Sequence, residues 1–303
     1  MRARYAVVTV TYNPALDVLA RQQAALEGAP LVIVVDNGSE AAMLSGVRAL
    51  TTSLVRAQVV AHERNVGLAA ALNAGARAAL EAMPDCEYLL FLDQDTEPGP
   101  AGCATLVAAA NTLRSRDHRA AVFGPLMVDA ATGLDHGIHV IRGLRWTRVH
   151  PPAGHTEPLA CASINGSGML VHVSAFRALG GFEDDFFIDH VDSEFSFRAT
   201  QAGYGLYTFP AVRFVHRMGE RSLRFWLGGW RVWPHRSPQR HYYLFRNAVR
   251  LLRRPYAPRV WKVWAVVKLG LAAAVHLVTD GSRVEQLRAM TRGVRDGART
   301  RAS

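Results

Sequence analysis

Four short apolar or β-branched runs, "YAVVTVT" (5–11), "LVIVVD" (31–36), "LVRAQVV" (54–60) and "YLLFLD" (88–93), alternate with helix-forming stretches. This alternation excludes more folds than any other feature of the chain. Runs of six or seven residues with little polar interruption suit strands covered on both faces, as in a parallel sheet. Between them, residues 15–27, 40–50 and the Ala-rich "NVGLAAALNAGARAALEAM" (65–83) read as helices. A βαβ series predicts an α/β fold: an open, mainly parallel, Rossmann-like sheet flanked by helices on both faces. Ligands of such sheets lie beyond the carboxyl ends of the strands. Asn13, Asp36, Asn37, Asn65 and Asp93 all fall at or just past those ends or in the turns that follow.

Each position has a chemical use. Asp36 can accept hydrogen bonds from a base or ribose, while the "DNGS" run supplies a turn and a helix cap. Asn65 and Gly67 precede a helix, where backbone N–H groups can meet an anion. No GxGxxG follows the first strand and no GxxxxGK[ST] occurs, so the common dinucleotide and P-loop fingerprints are absent. In "YLLFLDQDTE" (88–97), Asp93 and Asp95 alternate along an extended segment, so both carboxylates can face one ligand. Two like charges so close repel unless a cation sits with them. Mg²⁺ or Mn²⁺ prefers such oxygen donors and often completes its shell with substrate phosphates. A second acidic cluster, Asp189, Asp192 and Glu194 in "FFIDHVDSEFSFRA", lies among phenylalanines. Aromatic surroundings favour a general base, and the alternative is a helix-capping acid paired with Arg198.

Charge is unevenly placed along the 303 residues: residues 1–216 hold 16 Lys+Arg against 21 Asp+Glu, and residues 217–303 hold 19 against 4. A mildly acidic body, 1–216, thus precedes a basic region, 217–303. That region interleaves Trp and Arg in "RFWLGGWRVWPHR" and continues into the apolar "VWKVWAVVKLGLAAAVHLVTD", interrupted by Lys268 and His276. The expectation is a helix lying in a membrane interface, ahead of a buried structural helix or a span. Cys86, Cys103 and Cys161 are odd in number and widely spaced, which fits buried thiols in a reducing compartment. The N-terminal "MRARYAVVTVTYNP" reads as a first strand and not as an export signal.

In order along the chain, "VTVTYNP", "VVDNGS", "RNVGLAAALNAG", "LFLDQDT", "INGSGML", "FIDHVDSEFSFRA", "VHRMG" and "HYYLFRN" resemble the motifs of family 2 glycosyltransferases of the GT-A fold. The similarity is greatest to bacterial rhamnosyltransferases that use dTDP-L-rhamnose to build surface polysaccharides. The resemblance covers roughly residues 5–255. It implies that Thr11 and Asn13 line a nucleotide pocket, that Asp36 reads the pyrimidine, and that Asn65 and Gly67 approach the nucleoside diphosphate. It gives Asp93 to the ribose or a metal, and Asp95 to direct ligation of a divalent cation (Mg²⁺ or Mn²⁺) with help from His216. Asp192, with Asp189 as the alternative, becomes the catalytic base. Arg246 and Asn247 would touch the diphosphate or a lipid-linked acceptor. The implied enzyme is inverting, transfers to a glycan or lipid-linked glycan, and works in the cytoplasm, peripherally attached to the inner face of the plasma membrane.

Rival readings account for less of the sequence. A nucleic-acid-binding module would use the basic Trp/Arg region but leaves the acidic strand ends without purpose, and no nucleic-acid partner is expected. A sugar-binding protein without chemistry leaves Asp95, Asp192 and His216 unexplained. A UDP-sugar donor is the alternative within the enzyme class. His136 and His139 form H-x-x-H, but Gly137 between them favours an extended segment over a metal-binding helix. The "GSGML" run (166–170) reads as a flexible loop on the acceptor side.

Overall fold

A computed structural model describes residues 4–217, 222–226, 230–234, 236–279 and 282–299. The chain divides into two compact units, Met1–Phe187 with Val191–His216, and Ile188–His190 with Arg217–Ser303.

The first unit opens with β1 (Tyr5–Thr11), α1 (Leu16–Ala25), β2 (Val32–Asp36), α2 (Ala41–Thr51), β3 (Ala57–Ala61), α3 (Leu68–Ala82) and β4 (Tyr88–Asp93). It continues through β5 (Thr96–Glu97), α4 (Gly102–Arg114), β6 (Ala120–Asp129), the hairpin of β7 (Ile138–Arg142) and β8 (Arg145–Val149), and β9 (Leu159–Ala160). It closes with β10 (Met169–His172), α5 (Val173–Leu179), α6 (Val191–Gln201) and β11 (Gly205–His216). The main sheet has the order β3-β2-β1-β4-β10-β6-β11-β5, with β9 also on β11. β1, β2, β3 and β4 are parallel neighbours, as are β6 and β11, whereas β10 runs antiparallel between β4 and β6.

The apolar runs are strands because this sheet is covered twice. Tyr5, Val7, Val32, Val34 and Leu90 pack with Leu19 of α1, Val47 of α2 and Leu106 of α4. Their alternates Val8 and Val35 meet α3 on the opposite face, at Gly75. A Cβ at Gly75 would lie 2.4 Å from Val8 Cγ1, so glycine sets how closely α3 approaches the sheet. Two sequence expectations shift. The third strand starts at Ala57, not Leu54, because the chain turns through residues 52–56 and leaves Val55 exposed; as the edge strand, β3 is also only partly buried. The "GSGML" run is a loop only in part: residues 166–168 turn, whereas Met169 and Leu170 are fully buried in β10, paired with Phe91 and Leu90.

The second unit holds the hairpin of β12 (Ser222–Trp226) and β13 (Trp230–Pro234), then α7 (Pro238–Arg253), α8 (Arg259–Thr279) and α9 (Arg283–Arg299). In the Trp/Arg-rich run, residues 227–229 and 235 lie outside the described residues, as do Met218 and Gly219 of "VHRMG". Ser237 caps α7, its Oγ accepting from the Arg240 N–H at 3.2 Å, with Pro238 at the first helical position. α7 and α9 pack closely because Gly293 and Gly297 face the α7 backbone; a Cβ at either would stand 2.5 Å from the carbonyl oxygen of Tyr242 or Arg246. Between these helices His241 Nδ1 and Gln286 Oε1 are 2.7 Å apart, and Tyr242 donates to Asp296 at 3.1 Å.

Candidate active site

The carboxyl ends of β1, β2 and β4 bring the predicted residues together. Parallel register sets Thr11 beside Asp36 and Val10 beside Asp93. The point lies where the strand order reverses, β2 and β3 leading one way from β1 and β4 the other, the place at which open α/β sheets form crevices.

Asp36 is fully buried, and its carboxylate accepts from the Thr11 hydroxyl (3.1 Å), the Ser39 amide (2.9 Å) and the Ser39 hydroxyl (2.6 Å). Asn13, at a φ of 43°, donates its amide to Ser39 Oγ and accepts from the Glu40 amide at 2.9 Å. Asn65 accepts from the Asn37 side chain (3.1 Å) and the Gly67 amide (2.9 Å), while Asn37 accepts from the Val66 amide (3.0 Å). The Leu68 N–H bonds the Phe187 carbonyl. The amides of Val66, Gly67 and Leu68, leading into α3, thus have protein acceptors. Gly67 has a φ of 92°, and a Cβ there would press to 2.5 Å from the Phe187 ring. Both facts restrict the position to glycine.

The acidic turn after β4 is held from three sides. Gln22, buried on α1, donates to the carbonyls of Asp93 (2.7 Å) and Thr96 (2.6 Å), and accepts from Thr9 at 3.0 Å. The Asp93 amide donates to Ser167 Oγ at 2.9 Å, and Ser167 Oγ lies 2.6 Å from Thr96 Oγ1. β5 pairs with the end of β11, setting His216 opposite Thr96. His216 Nδ1 is thus 2.7 Å from Thr96 Oγ1 and 3.5 Å from Asp95 Oδ1. Ligand atoms of Asp93, Asp95 and His216 lie within 4.8 Å of one another. Two hard carboxylate donors with one borderline imidazole nitrogen fit Mn²⁺, or Mg²⁺ held mainly by the carboxylates, and three protein ligands would leave positions for phosphate oxygens. His136, its pKa lowered by burial and by His216, places its ring 6.1 Å from that of His216. His139 instead stacks on Trp146 at 5.3 Å and accepts from Arg148, so H-x-x-H does not form a chelate.

The second acidic cluster separates into three roles. Glu194 is fully buried in a two-point pair with Arg198 (2.7 and 2.8 Å), which also donates to the carbonyls of Gly181 and Leu179. The pairing with Arg198 weighed from the sequence belongs to this residue. Asp189, in the second unit, accepts from Arg236 (3.0 Å) and Arg240 (3.2 Å). Burial would raise its pKa, but the two guanidinium charges outweigh burial and hold it below the ordinary carboxylate value. Its geometry is that of a structural ion pair. Asp192, in the first turn of α6, accepts from the Gly166 amide at 3.2 Å and the Ser193 amide at 2.7 Å. Gly166 and Ser167 are successive residues, one bonded to Asp192 and the other to Asp93 and Thr96, so a two-residue link ties the acid of α6 to the acidic turn. The phenylalanines of the cluster serve the core: Phe195 packs on Phe182 at 4.9 Å and on Phe176 at 6.1 Å.

Arg246 belongs to the second unit, on α7, its guanidinium 4.8 Å from the Tyr243 ring centre and its Nε donating to Asn247 at 3.0 Å. Asn247 is fully buried and donates to the carbonyls of Ile188 and Asp189 (2.8 and 3.0 Å). Gln22, Thr96 and Ser167 escaped the sequence reading. Thr96 and Ser167 stand in the quoted "LFLDQDT" and "INGSGML" runs, where nothing local marks their hydrogen bonds, and Gln22 is a polar residue on the face of α1 that also carries Val18 and Leu19.

Known proteins resemble the chain in sequence and in fold. Residues 6–151 match the family described as Glycosyl transferase family 2. Over 298 residues, 97% of this chain and 95% of the relative, the sequence is 28% identical to the dTDP-rhamnosyl transferase RfbF of Shigella flexneri. Over 245 residues, 72% of this chain and 77% of the relative, it is 28% identical to the N-acetylglucosaminyl-diphospho-decaprenol L-rhamnosyltransferase of Mycobacterium tuberculosis (strain CDC 1551 / Oshkosh). Among solved structures, GalNAc-T7 with UDP, GalNAc and Mn²⁺ superposes with a TM-score of 0.59 at 19% identity; 92% of this chain aligns, spanning 58% of that one. The mannosyltransferase PcManGT of Pyrobaculum calidifontis, in complex with GDP-Man and Mn²⁺, gives 0.55 at 18% identity, with 98% and 86% of the two chains covered. The chain has the GT-A fold and is a glycosyltransferase, with residues 6–151 similar to glycosyl transferase family 2.

Proposed function

We propose that the enzyme transfers L-rhamnose from dTDP-L-rhamnose to a glycan acceptor, lipid-linked in the cell, with inversion at the anomeric carbon. The observation that carries the reaction class is the grouping of Asp93, Asp95 and His216 within 4.8 Å, linked through Gly166 and Ser167 to Asp192. The donor follows from the rhamnosyltransferases among the relatives. Asp95, Asp93 and His216 would hold a divalent cation, which when bound offsets negative charge growing on the departing diphosphate. Gln22, Thr96 and Ser167 fix the turn so that these ligands need no rearrangement when the donor arrives. Thr11, Asn13 and Asp36 form the nucleotide side of the crevice, and Asn65 with Gly67 keeps the start of α3 against it. Arg246 is assigned to the diphosphate or the acceptor on the resemblance alone.

Asp192 takes the proton of the acceptor hydroxyl while that oxygen bonds to the anomeric carbon; the bond from this carbon to the dTDP oxygen breaks, and dTDP leaves with the electron pair. With one base, one displacement and no enzyme nucleophile, a β-linked donor gives an α-linked product. The test offers dTDP-L-rhamnose, UDP-glucose and UDP-N-acetylglucosamine separately, with Mn²⁺ or Mg²⁺, and follows nucleotide release and the sugar anomer by NMR. Turnover of dTDP-L-rhamnose at least about tenfold above either UDP-sugar is expected, with the α anomer formed first. Preferential use of a UDP-sugar would overturn the donor assignment, and a β product the inverting mechanism.

A further inference from the structure

Helix α8 turns its chemistry outward. Its buried positions are Trp261, Ala265, Ala272 and His276, four and seven residues apart, and His276 is fully buried with its ring 4.3 Å from that of His241. The exposed positions include Val263 (69%), Val266 (57%), Val267 (54%), Trp264 (45%), Leu271 (44%) and Val278 (71%). At 100° per residue they cover, with Gly270 and Ala274, an arc of about 160° and a length of roughly 22 Å. A soluble helix normally shows the reverse arrangement, and an exposed apolar strip of this size marks an interaction surface.

Charge identifies the partner. Residues 217–303 carry 19 Lys+Arg against 4 Asp+Glu, and the adjoining α9 exposes Arg283, Arg288, Arg292 and Arg295. A second copy would bring an equally cationic region against this one, and nucleic acid has no use for a row of valines. An apolar interior beneath an anionic surface satisfies both features, with Trp264 suited to the boundary between them.

The Arg259–Val278 stretch is long and apolar enough to span a bilayer by length and composition. Its surroundings argue otherwise: α8 packs on α7 and α9, and a span would draw the arginines of those helices into hydrocarbon. We infer that α8 is a lipid-docking helix that lies in the plane of an anionic membrane surface, with its Val263–Val278 strip sunk into the headgroup boundary. The inference is independent of which sugar the enzyme transfers.

The test is flotation of the full chain with phosphatidylglycerol-containing vesicles and with pure phosphatidylcholine vesicles, comparing wild type with the double variant Val267→Glu/Leu271→Glu and the milder Trp264→Ala. Both positions of the double variant are exposed, and unchanged circular dichroism and thermal unfolding would establish that it folds; Trp264→Ala keeps the test open if it does not. Wild type is expected to float with anionic vesicles and weakly with neutral ones, to lose affinity as salt rises, and to be released by alkaline carbonate. The double variant should lose about tenfold or more in affinity, and Trp264→Ala severalfold. Equal and negligible wild-type binding to both vesicles would overturn the inference, as would retained affinity in both variants. Resistance to carbonate would replace it by a span, and a lipid-free dimer dissolved by the glutamates would replace it by a self-interface.

Discussion

Replacing Asp192 by Asn lowers the rate of sugar transfer by about three orders of magnitude, within the range a general base commonly contributes, and leaves affinity for dTDP-L-rhamnose nearly unchanged. The variant keeps the shape of the side chain, but the Gly166 and Ser193 amides donate to different oxygens of Asp192, so Asn retains one of these two bonds and loses the other. It also removes the capacity to take a proton, and unchanged thermal unfolding would separate that loss from the loss of one hydrogen bond. Steady-state kinetics read the first effect and calorimetric titration the second. Near-wild-type turnover would displace the mechanism, because Asp189 is a poor substitute: its oxygens accept from Arg236 and Arg240, and its pKa is held low.

Replacing Asp95 by Ala, or chelating divalent ions from the wild-type enzyme, has an effect at least as large but of another kind. Asp95 shares its oxygen's neighbourhood with His216 Nδ1 at 3.5 Å, and the side chain is about one-third exposed, so its removal disturbs little of the fold. Turnover should fall by a thousandfold or more, roughly the several kcal/mol of charge stabilisation such an ion supplies. Donor affinity should fall with it, in contrast to the Asp192 variant. Re-adding Mn²⁺ should restore the chelated wild type and not the variant. Full activity in excess chelator would remove the metal from the account.

The parts of this molecule legible in its sequence are those determined by near neighbours. β1 and β4 declare themselves because both their faces are buried, which leaves no room for polar alternation. The pair Asp93 and Asp95 is visible as a local repeat, and strand ends are where such a fold uses it. β3 was read three residues early because Leu54 is buried although the chain has not yet entered the sheet. The end of the loop expected at 166–170 instead begins a central strand at Met169, since its antiparallel pairing with β4 depends on residues far away in the chain. Ion pairs were equally hidden. Asp189 and Glu194 looked like surplus acids for chemistry until their arginines were placed beside them, and Asp192 acquired its distinction only when its neighbours' charges were accounted for. The supports of the acidic turn, Gln22, Thr96 and Ser167, are ordinary polar residues whose hydrogen bonds bridge about seventy positions of sequence.

The central claim is that the strand-end acids and His216 hold a sugar nucleotide through a divalent ion, and that the nucleotide is dTDP-L-rhamnose. Calorimetric titration of the wild-type enzyme with dTDP-L-rhamnose in Mn²⁺, repeated in excess chelator and with UDP-glucose, tests it most directly. The account predicts saturable binding of dTDP-L-rhamnose that disappears with the metal and is at least about tenfold tighter than that of UDP-glucose. Metal-independent binding, or tighter binding of UDP-glucose, would contradict it.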